Sequence, residues 1–254
     1  MDIKQWLVAG VALVSILLII YSCKKRMELK AEDYFDGAAR ELATALQQNR
    51  YQQAQRLLTG VELNRSYRQH MTFIMWCIAN ANKQALTWVL EHGANPNYQD
   101  QQGTSPVAYV AMGSDQDYLK ILLKYGGDPN SRNEQRPAIM EAALQDQWPN
   151  VVYLLDHGAD INAVDERGQN LLITYAGLQY FDKVAYLIDR GANIFHKTKN
   201  GSWIASRIQS SNPNPGTDNY KWQQVVRQKL IEKGVKFPVP NPWEERKKQQ
   251  DQHE

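Results

Sequence analysis

Five glycines set a register that few architectures satisfy. Gly60, Gly93, Gly126, Gly158 and Gly191 follow one another at intervals of 33, 33, 32 and 33 residues, and a fixed period of that length marks a chain built from stacked supersecondary units. One such unit cannot bury its apolar face alone, so neighbours must stack into a continuous core. A sixth glycine, Gly234, stands 43 residues further on rather than 33. The excess coincides with Ser210 to Tyr220 (SSNPNPGTDNY), whose turn-forming composition predicts an inserted loop.

Each interval repeats one internal grammar. An apolar helical stripe precedes the glycine, as in Tyr118-Leu119-Lys120-Ile121-Leu122-Leu123 and Val151-Val152-Tyr153-Leu154-Leu155. The glycine ends that helix, where a left-handed backbone is cheap only without a Cβ. A polar turn follows, and about ten residues later another helix begins, at Thr104-Ser105-Pro106, Arg136-Pro137-Ala138 and Gln169-Asn170-Leu171. Ala108, Ala111, Ala142, Ala143 and Ala176 within these helices permit close approach of neighbours.

This helix, helix, hairpin unit with GANPN, GGDPN and GADIN at its turns resembles the ankyrin repeat, over about Ala38 to Phe237. Thr104-Ser105-Pro106-Val107-Ala108 is similar to the family's T-P-L-H segment without its histidine, whereas Ile139 to Ala143 and Leu171 to Ala176 keep only the apolar pattern. The fold class expected is all-α: an ankyrin-repeat solenoid of about five repeats plus caps, after an N-terminal hydrophobic segment. Asp33 to Leu58 is expected as the amino-terminal cap and Tyr220 to Lys233 as the closing helix. The domain boundaries follow: signal peptide or anchor over 1–23, a short linker over 24–37, the solenoid over 38–237, and a disordered polar tail over 238–254, where three prolines and a charged, Gln-rich run cannot build a core.

Trp6 to Ser22 (WLVAGVALVSILLIIYS) is seventeen residues without a charge, at the short edge of a bilayer span. Two insertion modes compete. Ile20-Tyr21-Ser22-Cys23 resembles a bacterial lipobox, which implies cleavage before Cys23, acylation of that cysteine, and a body in the cell envelope facing the periplasm. Lys24, Lys25, Arg26 and Lys30 after the segment instead favour, by the positive-inside rule, an uncleaved anchor with the body in the cytoplasm. The lipoprotein reading is preferred because the apolar run is short and stops at a cysteine.

Chemistry is sparse. The five histidines, His70, His92, His157, His196 and His253, form no HExxH, and there is no GxSxG elbow and no GxxxxGK phosphate loop. Neither enzyme activity, cofactor nor metal is expected. His92 and His157 each precede a repeat glycine, where an imidazole meets the free carbonyls of a helix end. Cys77 reads as a small buried hydrophobe, and Asp160 and Asp165 as hairpin residues. A formal charge of +2 gives no general attraction to nucleic acid.

What remains is surface. The resemblance implies that partner contacts come from hairpin tips and the exposed face of the first helix of each repeat. By register the tips are Arg68, Gln69, Gln99, Gln101, Gln102, Arg132, Glu134, Arg136, Glu166, Arg167, Lys197 and Lys199, six basic and two acidic. Such a strip suits another protein with an acidic surface, with Tyr98, Tyr109, Met140, Tyr175 and Trp203 as candidate anchors. The chain is expected to be a monomer apart from that partner, and to touch the membrane through its N-terminus. Bacterial proteins that look like this, a solenoid on a lipoprotein or single-span anchor, include immunity proteins that block toxic effectors such as phospholipases. A general membrane-associated scaffold is the alternative.

Overall fold

The computed structural model describes residues 29–134 and 136–243. Helix α1 (Ala31–Tyr34) opens them. Six antiparallel helix pairs then follow, each with an inner and an outer member. They are α2 (Gly37–Gln47) with α3 (Tyr51–Leu57), α4 (Phe73–Ala79) with α5 (Lys83–Glu91), and α6 (Pro106–Ala111) with α7 (Gln116–Lys124). Next come α8 (Ala138–Leu144) with α9 (Trp148–Asp156), α10 (Leu171–Gly177) with α11 (Phe181–Asp189), and α12 (Ile204–Ser210) with α13 (Asp218–Glu232). The hairpin before α8 carries a two-residue bridge, β1 (Arg132–Asn133) antiparallel to β2 (Arg136–Pro137), with Arg132 opposite Pro137. The cap pair and five further pairs agree with the repeat count read from the glycines, and α13 is the closing helix.

The pairs form because each helix has one apolar face and a defined start. Thr72, Ser105 and Asn170 are N-caps whose side chains accept from the amides of Met75, Ala108 and Ile173, so the Asn170 amide does at α10 what a threonine hydroxyl does elsewhere. Pro137 lacks a side-chain cap, and the β1–β2 bridge holds that entry instead. Leu42, Leu86, Leu119, Leu154, Leu187 and Leu230, one from each pair, are fully buried and run the core the length of the stack. Burying such a side chain contributes about 1.5–3 kcal/mol. Neighbouring pairs are also bolted by polar bonds. Asn150 on α9, 2% exposed, donates to the carbonyls of Ala111 and Gly113 at 2.9 and 2.8 Å, across to the end of α6.

The last asparagine of each hairpin motif is explained by a ladder along the turns. Asn64 donates to the Gly93 carbonyl at 3.0 Å and accepts from the Asn95 amide at 2.6 Å. Asn97 does the same with Gly126 and Asp128, and Asn130 with Gly158 and Asp160. Each motif therefore serves the next repeat, satisfying backbone groups that the turn leaves unpaired. The glycine beside it takes φ 96° at Gly93 and 93° at Gly158, a left-handed geometry that strains any L side chain. His92 and His157 donate through Nδ1 to the carbonyls of Trp88 and Tyr153, at 2.7 and 2.8 Å, as expected of helix-end imidazoles.

Both ends depart from expectation. Residues 31–37 fall within the expected linker, although Asp33 onward is also expected as cap, and they pack on the first repeat: Phe35 is 1% exposed, stacks on Phe73 at 4.9 Å and meets Trp76 edge-on at 5.5 Å. Residues 238–243, expected as the start of a disordered tail, lie on the last repeat. There Val239 is buried and exchanges two hydrogen bonds with the Gln209 side chain, at 2.7 and 2.9 Å. An aromatic at one end and a valine with a free backbone edge at the other supply what composition alone hid. Among the described residues no helix is long and apolar enough to cross a membrane. The proposed anchor over 1–23, with Cys23, and residues 244–254 lie outside the described residues.

Candidate functional site

The inner helices share one register, and it decides what the concave face offers. Their N-caps are Thr72, Ser105, Pro137, Asn170 and Trp203, so the fourth residue after each cap falls at an equivalent place. Those residues are Trp76, Tyr109, Glu141, Thr174 and Arg207. The two ends of the column differ from its middle. Trp76 is fully buried under Tyr34 and Phe35, and Arg207 lies in a pocket whose other wall is Pro240 to Trp243. The three middle members line one common space.

That space is a groove of about 590 Å³ between α6, α8, α10 and the adjoining hairpins. Tyr109 stands 44% exposed at one side and Leu144 41% exposed near the end of α8. Glu141 forms the floor; its side chain is 9% exposed and its Oε1 lies 3.3 Å from the Nε of Arg136. The rim comes from Glu134, Arg136, Glu166 and Arg167 at two hairpin tips. Asp165 beneath them is a turn residue, accepting from the amides of Arg167 and Gln169 at 2.9 and 2.8 Å.

Of the twelve tip residues expected to bind a partner, the groove thus gathers Glu134, Arg136, Glu166 and Arg167. Several others are engaged within the solenoid. Arg68 pairs with Asp36 and donates to the Glu32 carbonyl, tying the first hairpin to the cap. Arg132 donates to the Val164 carbonyl at 3.2 Å, and Gln99 donates to the Arg132 carbonyl at 3.2 Å. Gln69 has φ 53° in a 3-10 turn (Arg68–His70). Gln101 and Gln102 are exposed on their own tip. Lys197 lies 5.9 Å from the centre of the Trp203 ring, and the exposed Lys199 links its tip to the next by donating its amide to the Arg167 carbonyl at 3.3 Å.

Among the candidate anchors, Tyr109 stands exposed in the groove, Met140 touches its wall but is a core residue at 1% exposure, and Tyr175 is a core residue at 0%. Met140 and Tyr175 sit one position before or after the column, so the helix turns them inward. Tyr98 and Trp203 are half-buried. Sequence reasoning passed over Glu141 and Thr174. The available signal was a charge and a hydroxyl inside inner helices otherwise built of alanine and aliphatic residues. Cys77 is 1% exposed, and burial pushes its thiol well above the ordinary value, so it is packing rather than a nucleophile. Among the described residues no group of histidine, cysteine or carboxylate side chains could hold a metal ion.

Comparison with known proteins agrees with this architecture. Residues 42–133 match the family model for ankyrin repeats, in three copies. The chain is 29% identical over 130 residues to human ankyrin repeat and SOCS box protein 6, covering 47% of this chain and 31% of that one. It is also 29% identical over 138 residues to neurogenic locus notch homolog protein 1 of Xenopus laevis, covering 53% of this chain and 5% of that one. The chain therefore spans a third or less of the length of these curated relatives. Among solved structures, the ankyrin repeat domain of Bcl-3 superposes with a TM-score of 0.64 at 21% identity, over 79% of this chain and 89% of that one. The human ASB11 ankyrin repeat domain gives 0.58 at 18%, over 79% and 86%. Ankyrin repeat domains bind other proteins. With its helix pairs, hairpin ladder and matched repeats, this chain carries ankyrin repeats over residues 42–133 and has the fold of an all-helical repeat solenoid.

Proposed function

We propose that this chain is a membrane-tethered module that binds another protein in the three-repeat window of its concave face. The observation that carries the reading is the window itself: three inner helices line one groove of about 590 Å³, while at one end of the column Trp76 is buried beneath Tyr34 and Phe35 and at the other Arg207 shares a separate, smaller pocket with residues 240–243. Arg167 on its rim and Lys199, whose amide donates to the Arg167 carbonyl, are exposed basic tips that suit an acidic patch on the partner. An envelope immunity protein that neutralises a toxic effector, working as a monomer apart from its target, combines this groove with the N-terminal segment of 6–22 and is the reading put forward. Metabolic labelling with a fatty acid tests the tether. Label on wild type and none on Cys23→Ala supports the acylated form facing the periplasm, and an unlabelled, membrane-bound wild type replaces it with the uncleaved anchor.

The binding claim is tested by reversing Arg167 and Lys199 to Glu. Exposed charges contribute only about 0–1 kcal/mol to stability, so the thermal midpoint should hardly move. Capture of the partner, identified by cross-linking in the producing cell, should fall by about tenfold or more and fall most at low salt. Unchanged capture by a folded double variant would contradict the acidic-patch reading. A neutralised effector predicts in addition that cells expressing the variant lose resistance to it, whereas a scaffold leaves survival unaffected.

A further inference from the structure

The charges around the groove do not balance. Glu134, Glu141, Asp165 and Glu166 line it against Arg136 and Arg167, four carboxylates to two guanidiniums. Glu141 is the one drawn below the surface. A carboxylate has room for about four hydrogen bonds, yet among the described residues its one charged neighbour is the Arg136 Nε at 3.3 Å, from a side chain that is itself 48% exposed. Beside it on α10, Thr174 is 7% exposed and its hydroxyl has no hydrogen-bond partner. Two polar groups that have given up water without full replacement therefore sit at equivalent positions on adjacent helices, lining one groove.

We infer that this floor receives a single lysine or arginine side chain of the bound protein, whose cationic head meets Glu141 and whose stem lies along Tyr109. This rests on the groove being the binding surface and adds the chemistry that its floor selects. The aromatic side wall fits a long aliphatic stem, and the partly desolvated carboxylate makes a strong, directional acceptor for an ammonium or guanidinium. Arg136 meets Oε1 of Glu141 from the solvent side and leaves the other carboxylate oxygen for the ligand. An apolar or acidic side chain entering the same place would leave Glu141 still more poorly paired, so the floor discriminates as well as attracts.

The test uses the full chain in detergent micelles as bait for a displayed library of short random peptides. The expected enriched peptides share one lysine or arginine. Replacing it with methionine weakens binding by about tenfold or more, Glu141→Gln weakens the same peptides equally, and the two changes together add no further loss. Thr174→Val gives a smaller loss in the same direction. Should Glu141→Gln fail to fold, the peptide replacement and Thr174→Val still decide. Peptides without a shared basic residue, equal binding by Glu141→Gln, additive losses, or no enrichment at all each overturn the inference. If such peptides nevertheless depend on Arg167 and Lys199, the groove reading survives without it. A cellular partner cross-linked outside the window overturns the groove reading itself.

Discussion

Trp76→Ala is expected to lower the unfolding free energy by about 3–5 kcal/mol, the range for removing a large aromatic from a packed core. Trp76 is fully buried, meets Phe35 edge-on, lies 5.8 Å from Tyr34, and donates its indole N–H to the Ala43 carbonyl at 3.0 Å. It thus joins three segments: α1, the cap pair and the first full repeat. In a solenoid each unit is stabilised by its neighbours, so the loss should be local. Hydrogen exchange should rise across α1 to α4 while α8 to α11 keep wild-type protection. Uniformly increased exchange, or a loss under 1 kcal/mol, would show that the cap is not held through this side chain.

Asn150→Leu should cost about 2–4 kcal/mol, although leucine is close in size and more apolar. Two carbonyls at the end of α6, those of Ala111 and Gly113, accept from Asn150, and an orphaned buried acceptor costs about 1–3 kcal/mol. Hydrophobic burial of the leucine offsets part of this. Urea unfolding should show a lower midpoint with little change in slope. An equal or higher midpoint would mean that water replaces the amide and that the inter-repeat bond adds nothing.

How far the sequence reached can be followed residue by residue. Glycine spacing located every outer-helix end, because a left-handed backbone there depends on one residue type and no tertiary context. The hairpin asparagines were visible as a motif, but their reach to the next repeat's glycine was not, since the bond spans 29 residues in the case of Asn64. Gly127 shows the opposite failure. Its equivalents are alanine or valine, yet a Cβ there would stand 2.8 Å from the Leu122 carbonyl oxygen and 2.9 Å from Val107 Cγ2, a local closeness that no pattern discloses. The tip residues were placed by register, but register cannot say which charges are already used. Arg68 is spent on Asp36. Glu141 and Thr174 were missed because polar residues in a helix interior are ordinarily solvated, and only the stacked column shows that they face a groove.

The central claim, that a protein partner occupies the window over Tyr109, Glu141 and Thr174, is tested most directly by site-specific photo-cross-linking in the producing cell. A benzophenone side chain is placed at Tyr109, on the groove, and in a separate variant at Gln84, exposed on the outer helix α5. One protein cross-linked from position 109 and absent from position 84 is the predicted result. Cross-linking from position 84 alone, or equally from both, would contradict it.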